Sequence, residues 1–177
     1  MDGVATDDVR RRPGRPGWWA AKARQTWRHL TGRVTPAERA ALEAWLSPRQ
    51  LALFDAMHRA DRRHGLDVVA TLRSNGVADR DLLLAGLLHD AGKGDTGLLP
   101  RIVWSLGEAL GDPVVRLAAR SRSLGPALGR LRRHAERSAE LAEGAGCPRR
   151  TVALIREQAA PRDPVAGRLL LAADEAN

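Results

Sequence analysis

The sequence predicts an all-α protein, a single helical bundle of about seven to nine helices. Two observations lead to this prediction. Apolar residues recur at three- and four-residue spacing in one segment after another, and no stretch alternates strictly between apolar and polar residues as a half-buried strand does. Most segments also begin at a residue that caps helices, as at Thr35-Pro36 and Ser47-Pro48. With 177 residues, 44% of them hydrophobic, the chain can bury the core of one compact domain.

The N-terminal region is strongly basic. Residues 1–35 hold eight basic and three acidic residues, which is +5 of the net charge of +8. Residues 1–17 contain RRRPGRPG, and because Pro and Gly interrupt regular structure, this segment is predicted to be a flexible arm. Such an arm could bind nucleic acid or an acidic membrane surface, although a solvated extension is the favoured explanation of the charge. Residues 18–60 are predicted to form helices that pack on the core of residues 61–177.

Helical spacing and capping residues place the individual helices. Asp61 is predicted to cap one helix, which stops at Asn75-Gly76, and Asp79 is predicted to cap the central one. Segments with helical spacing cover residues 18–30, 36–46, 48–58, 62–74, the segment after Asp79, 97–111, 113–122, 128–145, 148–160 and the last residues from 163.

The central helix carries the most informative stretch, LLLAGLLHDAGKG over residues 82–94. Its apolar run must be buried, and burial brings His89 and Asp90 to the edge of the core. A buried carboxylate is costly unless it is paired or coordinates a metal. Neighbouring residues on a straight helix point about 100° apart, so the two side chains can share a ligand only where the helix ends. Gly92 is predicted to provide that end.

This stretch resembles the signature of the HD superfamily of metal-dependent phosphohydrolases, in the HDxGK form. Members of that family are all-helical and bind metal through residues in the order His, His-Asp, Asp. The resemblance covers approximately residues 61–174 and implies the metal ligands His64, His89, Asp90 and Asp174. His64 is followed by a small residue and an apolar stripe, as the first ligand of the family is, and His58 is the alternative.

Two further residues receive roles from the same resemblance. Lys93 is assigned to phosphate binding or charge stabilisation, although a cation at a helix C-terminus is favourable without any function. Many nucleotide-cleaving members carry Glu at this position instead. His134 resembles an additional ligand of the two-metal members, but no His follows it, and Gln158 stands where the second extra His is expected. One metal ion is therefore predicted, which leaves His134 to bind substrate phosphate or to transfer a proton.

The chemistry of these residues predicts the function. Two imidazoles and two carboxylates suit one divalent ion such as Mn, Fe, Ni, Co, Mg or Zn. The predicted activity is hydrolysis of a nucleotide or other phosphate ester; the alternative is a degenerate HD domain that binds metal or nucleotide as a sensor or scaffold. The single cysteine and the absence of a signal-peptide pattern or long apolar run predict a cytoplasmic protein without a transmembrane segment.

Overall fold

The computed structural model of the protein describes residues 32–94, 121 and 124–177. Within these ranges all regular structure is helical, with eight α-helices and no strand, so the predicted all-α fold is confirmed. Outside the described residues lie the predicted arm, the predicted helices at 18–30 and 97–111, and most of the predicted helix at 113–122. Binding of nucleic acid or an acidic membrane surface by the arm stays a prediction. The elements are α1 Pro36–Glu43, α2 Pro48–Ala56, α3 Arg59–Ser74, α4 Arg80–Leu88, a 3₁₀ turn Ala91–Lys93, α5 Gly125–Arg132, α6 His134–Gly144, α7 Arg149–Arg156 and α8 Ala166–Ala176.

The predicted capping residues begin three of these helices. The Thr35 hydroxyl accepts a hydrogen bond from the backbone N–H of Glu38, whose carboxylate accepts one from the N–H of Thr35. Ser47 forms the equivalent capping box at α2. Asp79 accepts hydrogen bonds from the first turn of α4. These contacts span three residues or fewer, which is why they could be predicted from local sequence.

Helix α3 begins three residues earlier than predicted. His58 is its N-cap, because the ring Nδ1 accepts a hydrogen bond from the N–H of Ala60 at 3.3 Å. Asp61, the predicted cap, lies inside the first turn and is only 1% exposed. The Asp61 carboxylate therefore faces the interior of the protein rather than the end of the helix.

The predicted helix over residues 128–145 is two helices, α5 and α6, that meet at Arg133. The ring Nδ1–H of His134 donates to the carbonyl oxygen of Leu131 at 2.6 Å. In a continuous helix that oxygen would accept the N–H of Ala135, so the side chain competes with the backbone for it. The break places His134 at the start of α6 instead of within a longer helix.

One hydrophobic core includes residues from both ends of the described chain, from Leu42 in α1 to Ala173 in α8. Helix α4 is at its centre, because every residue from Leu82 to Leu88 is buried. Helices α3, α7 and α8 pack around α4. The described N-terminal helices therefore share the core of the bundle. None of the described helices is both long and apolar enough to span a bilayer.

An ion pair between Glu38 and Arg63 joins α1 to α3, with Nη1 of Arg63 2.6 Å from Oε1 of Glu38. The hydrogen bond from Arg63, with that from the Thr35 backbone, lowers the pKa of Glu38 to about 2. Because the folded-state pKa lies below the ordinary value, the pair stabilises the protein above about pH 4.5, and this contribution is lost as the pH falls towards 2. The Glu38 side chain is 38% exposed, so screening reduces the contribution to about 1 kcal/mol.

We therefore expect Glu38→Gln to lower the free energy of unfolding by about 1 kcal/mol at pH 7 and by less than half of that at pH 3. Glutamine can still complete the capping box, so the substitution removes the charge alone. Urea unfolding at both pH values measures the difference. Glu43→Gln, at an exposed carboxylate of the same helix, is the control and should change stability by a few tenths of a kcal/mol at most. An equal loss for Glu38→Gln at both pH values would contradict this account.

Candidate metal centre

The centre of the site is the point where α4 ends. His89 is the C-cap residue, with φ −56° and ψ −25°, and Asp90 leaves the helix with φ −100° and ψ 3° before the 3₁₀ turn. This change of direction turns the two side chains of the doublet towards the same region, with His89 Nε2 3.6 Å from Asp90 Oδ1. The predicted helix end is therefore present, and it begins at the doublet itself.

Helix α3 brings a second imidazole to the doublet. His64 Nε2 lies 3.9 Å from Asp90 Oδ2, and the rings of His64 and His89 meet edge to face with centroids 5.1 Å apart. The three residues are 4%, 1% and 1% exposed, and each offers one ligand atom within 4.8 Å of the others. His58 lies six residues earlier, about 9 Å along the helix, where it caps α3. The cluster that could hold a metal ion therefore contains His64, His89 and Asp90.

The His89 ring is oriented by its own backbone. Nδ1 lies 2.9 Å from the carbonyl oxygen of Gly86, and because a carbonyl only accepts, Nδ1 carries a proton. This leaves Nε2 directed at the carboxylates. His89 Nε2 and Asp90 Oδ1 are buried, and neither makes a hydrogen bond within the part of the chain that the structure describes. Two buried polar atoms that face one another without a hydrogen bond fit the donor set of a metal site.

Asp174 lies at the outer side of this cluster. It comes from α8, with Oδ1 2.7 Å from His64 Nε2 and 3.4 Å from His89 Nε2. Its side chain is 36% exposed, whereas the other three ligand candidates are buried. The structure thus brings all four predicted metal ligands together, with Asp174 between the buried group of three and solvent.

Lys93 and His134 also approach Asp90. Lys93 Nζ forms an ion pair with Asp90 Oδ2 at 2.6 Å, and His134 Nε2 lies 3.7 Å from Asp90 Oδ1. Their side chains are 24% and 21% exposed, so both can contact solvent as well as the buried carboxylate.

The imidazoles and carboxylates of the cluster stabilise one another's charged forms. Burial alone would lower the pKa of His89, but the carboxylates of Asp90 and Asp174 outweigh it and raise the pKa to about 9. Burial would raise the pKa of Asp90 and of Asp174, but the neighbouring imidazoles hold both values well below the usual range. Without an ion, the carboxylates therefore keep a second proton on the His89 ring, at Nε2. A metal ion that binds here must displace that proton.

The pKa values of Lys93 and His134 are shifted in opposite directions. Burial alone would lower the pKa of Lys93, but the carboxylates of Asp90 and Asp61 outweigh it and raise the pKa. Burial lowers the pKa of His134, and the attraction of Asp90 does not compensate for it. At neutral pH the site therefore has a cationic Lys93 beside a neutral His134.

Two glycines allow the elements of the site to approach one another. A Cβ on Gly65 would lie 2.4 Å from the carbonyl oxygen of Leu87, and one on Gly92 would lie 2.5 Å from the carbonyl oxygen of His134. The N–H of Gly92 also donates to the Ser138 hydroxyl at 2.8 Å. The small residue after His64, which belongs to the resemblance to the HD signature, thus has a packing role.

Two buried residues near the doublet have roles that differ from those predicted from the sequence. Asp61 is not the cap of α3, and its charge raises the pKa of Lys93. Its three-residue spacing from His64 is the signal that could have placed it on the same face of α3. Gln158, at the position expected for a second-metal His, donates from its side-chain amide to the carbonyl oxygen of His89 at 3.2 Å.

Comparisons with protein-family models, curated proteins and solved structures found no match to this chain. The fold and the site define an all-α protein with a buried His and His-Asp cluster that could hold a metal ion. Membership of the HD superfamily remains a prediction from the resemblance.

Proposed function

We propose that this protein is a metal-dependent phosphohydrolase that acts on a nucleotide or other phosphate ester. The observation that carries the proposal is a pair of buried atoms, His89 Nε2 and Asp90 Oδ1, that converge without a hydrogen bond to any of the described residues. His64 and Asp174, two further ligand candidates, lie beside them. Without an ion, attraction between the protonated imidazole and the carboxylates is what offsets the cost of burying these atoms, and a divalent ion would coordinate them directly.

The donor set determines which ions suit the site. Imidazole nitrogen and carboxylate oxygen together favour borderline or hard divalent ions, here Mn, Fe, Ni, Co, Mg or Zn. A divalent ion would polarise a phosphoryl oxygen and make a water molecule more acidic. The four candidate ligands are distributed over α3, α8 and the end of α4, so a bound ion would also link these elements.

The residues on the solvent side of Asp90 have complementary roles in this proposal. Lys93 carries a positive charge that can bind the phosphate of a substrate. His134 is neutral at pH 7, and its Nδ1–H is held by the Leu131 carbonyl, so Nε2 has a lone pair directed at the site. A neutral imidazole accepts a proton better than it attracts an anion, so of its two predicted roles we favour proton transfer.

A second candidate function is binding of metal or nucleotide without turnover, as a sensor or scaffold. The 2.6 Å ion pair between Lys93 and Asp90 favours it, because a carboxylate that already has a cationic partner is less available to a metal ion. In the same arrangement, Lys93 is less available to a substrate phosphate.

Turnover assays separate the two functions. The purified full-length protein is incubated with nucleotides, other phosphate monoesters and phosphodiesters in the presence of each of the six ions. We expect hydrolysis that a chelator abolishes and that His134→Gln slows by about 10²- to 10⁴-fold in kcat. His58→Ala, which changes another imidazole outside the cluster, should keep the activity. Metal binding without hydrolysis of any ester would support the sensor or scaffold function.

A further inference from the structure

We infer that Gln158 is a positioning residue of the metal centre, which holds the His-Asp doublet through the backbone of His89. The inference rests on the proposed metal site and adds to it a residue that is not a ligand. Gln158 is 7% exposed and follows α7, and its Nε2 donates to the carbonyl oxygen of His89 at 3.2 Å. This hydrogen bond joins residues 69 positions apart in the chain.

The carbonyl group that accepts this hydrogen bond lies at the C-terminal end of α4. The last carbonyls of an α-helix have no partner within the helix, and a buried one needs a donor from elsewhere. His89 is the C-cap of α4, and its side chain already donates to the carbonyl of Gly86. The hydrogen bond from Gln158 therefore fixes the peptide unit between His89 and Asp90. The two Cα atoms that flank this unit carry the two ligand side chains.

Helix α7 contacts α4 at both ends. Near the start of α7, the Thr151 hydroxyl donates to the carbonyl oxygen of Asp81 at 3.2 Å, and after its end Gln158 donates to that of His89. Residues 151 and 158 thus match residues 81 and 89, so the two helices run side by side in the same direction. The Thr151 contact supports the far end of α4 and the Gln158 contact supports the end that carries the ligands.

The contact favours one of two roles for Gln158. A metal ligand would present its amide oxygen to the ion, whereas the atom that contacts the doublet here is the amide nitrogen, which donates because a carbonyl only accepts. Residues that orient metal ligands through hydrogen bonds typically change metal affinity by about 10- to 100-fold when they are replaced.

The test uses Co²⁺ as the metal, with affinity measured by competition with a chelator and coordination followed by visible absorption of the full-length protein. We expect Gln158→Leu to weaken Co²⁺ binding by about 10- to 100-fold and to alter the spectrum. Thr151→Val is the matched control, because it removes the corresponding hydrogen bond at the other end of α4. It should lower the urea midpoint but change Co²⁺ affinity less than threefold and leave the spectrum unchanged.

Several results would overturn the inference. Wild-type affinity and spectrum in Gln158→Leu, or equal losses in Gln158→Leu and Thr151→Val, would exclude a positioning role. Two tightly bound ions in Gln158→His would show that this position belongs to the ligand set. If Gln158→Leu does not fold, Gln158→Met, which has a similar length and no donor, takes its place. Lack of Co²⁺ binding by the wild type would remove the proposed function and this inference together, whereas binding that Gln158→Leu retains would remove the inference alone.

Discussion

His89→Ala is expected to abolish stoichiometric binding of a divalent ion. The substitution removes the imidazole whose Nε2 is 3.6 Å from Asp90 Oδ1 and 3.4 Å from Asp174 Oδ1. The candidate ligand that lies between the two carboxylates is therefore lost. After purification with excess Mn or Fe, elemental analysis should find about one ion per wild-type chain and none in the variant. Added metal should raise the melting temperature of the wild type only, because a ligand stabilises the state that binds it.

His58→Ala is the control for this experiment, since His58 caps α3 and is not part of the cluster. It should keep its metal, whereas His64→Ala should lose it. Full metal content in His89→Ala would show that the site is misassigned. Two tightly bound ions in the wild type would contradict the prediction of a single metal, which depends on the absence of a His at position 158.

The second large effect is expected for Gly65→Ala. The added methyl group would lie 2.4 Å from the Leu87 carbonyl oxygen, and since this is backbone, relief requires α3 and α4 to move apart. Overpacking of this kind costs about 1–3 kcal/mol, and we expect the upper part of that range. His64 is the preceding residue, so the same movement should weaken metal binding. Urea unfolding and metal titration of the same preparation measure both effects.

Gly129→Ala is the matched control for this substitution. Gly129 is also inside a helix, α5, and outside that helix no atom of the described residues would lie within 4 Å of a Cβ there. Alanine should be neutral or should stabilise the protein by about 0.4–1 kcal/mol, because it restricts the unfolded chain. If Gly65→Ala were as stable as Gly129→Ala, the close approach of α3 to Leu87 would not be a constraint on the fold.

The sequence by itself determined the helical class, the first residues of α1, α2 and α4, and the position of the doublet. These features depend on interactions between residues a few positions apart. The capping boxes at Thr35 and Ser47 each close over three residues, and the burial of α4 follows from an uninterrupted run of apolar side chains. An imidazole and a carboxylate at the end of such a run must lie at the edge of the core, whatever packs around it.

Only the tertiary structure decided the features that depend on partners far away in the chain. The resemblance named His64 and Asp174 as ligands of one ion, but their direct contact across 110 residues was not predicted, and neither was that of Gln158 with the His89 carbonyl across 69. The break before His134 and the inward position of Asp61 were also not predicted, because each depends on which of two competing hydrogen bonds or surroundings the packed bundle favours. Local sequence restricts the backbone of each segment, but the partner of a buried polar side chain is chosen by the packing of helices against one another, and no spacing within one segment contains that information.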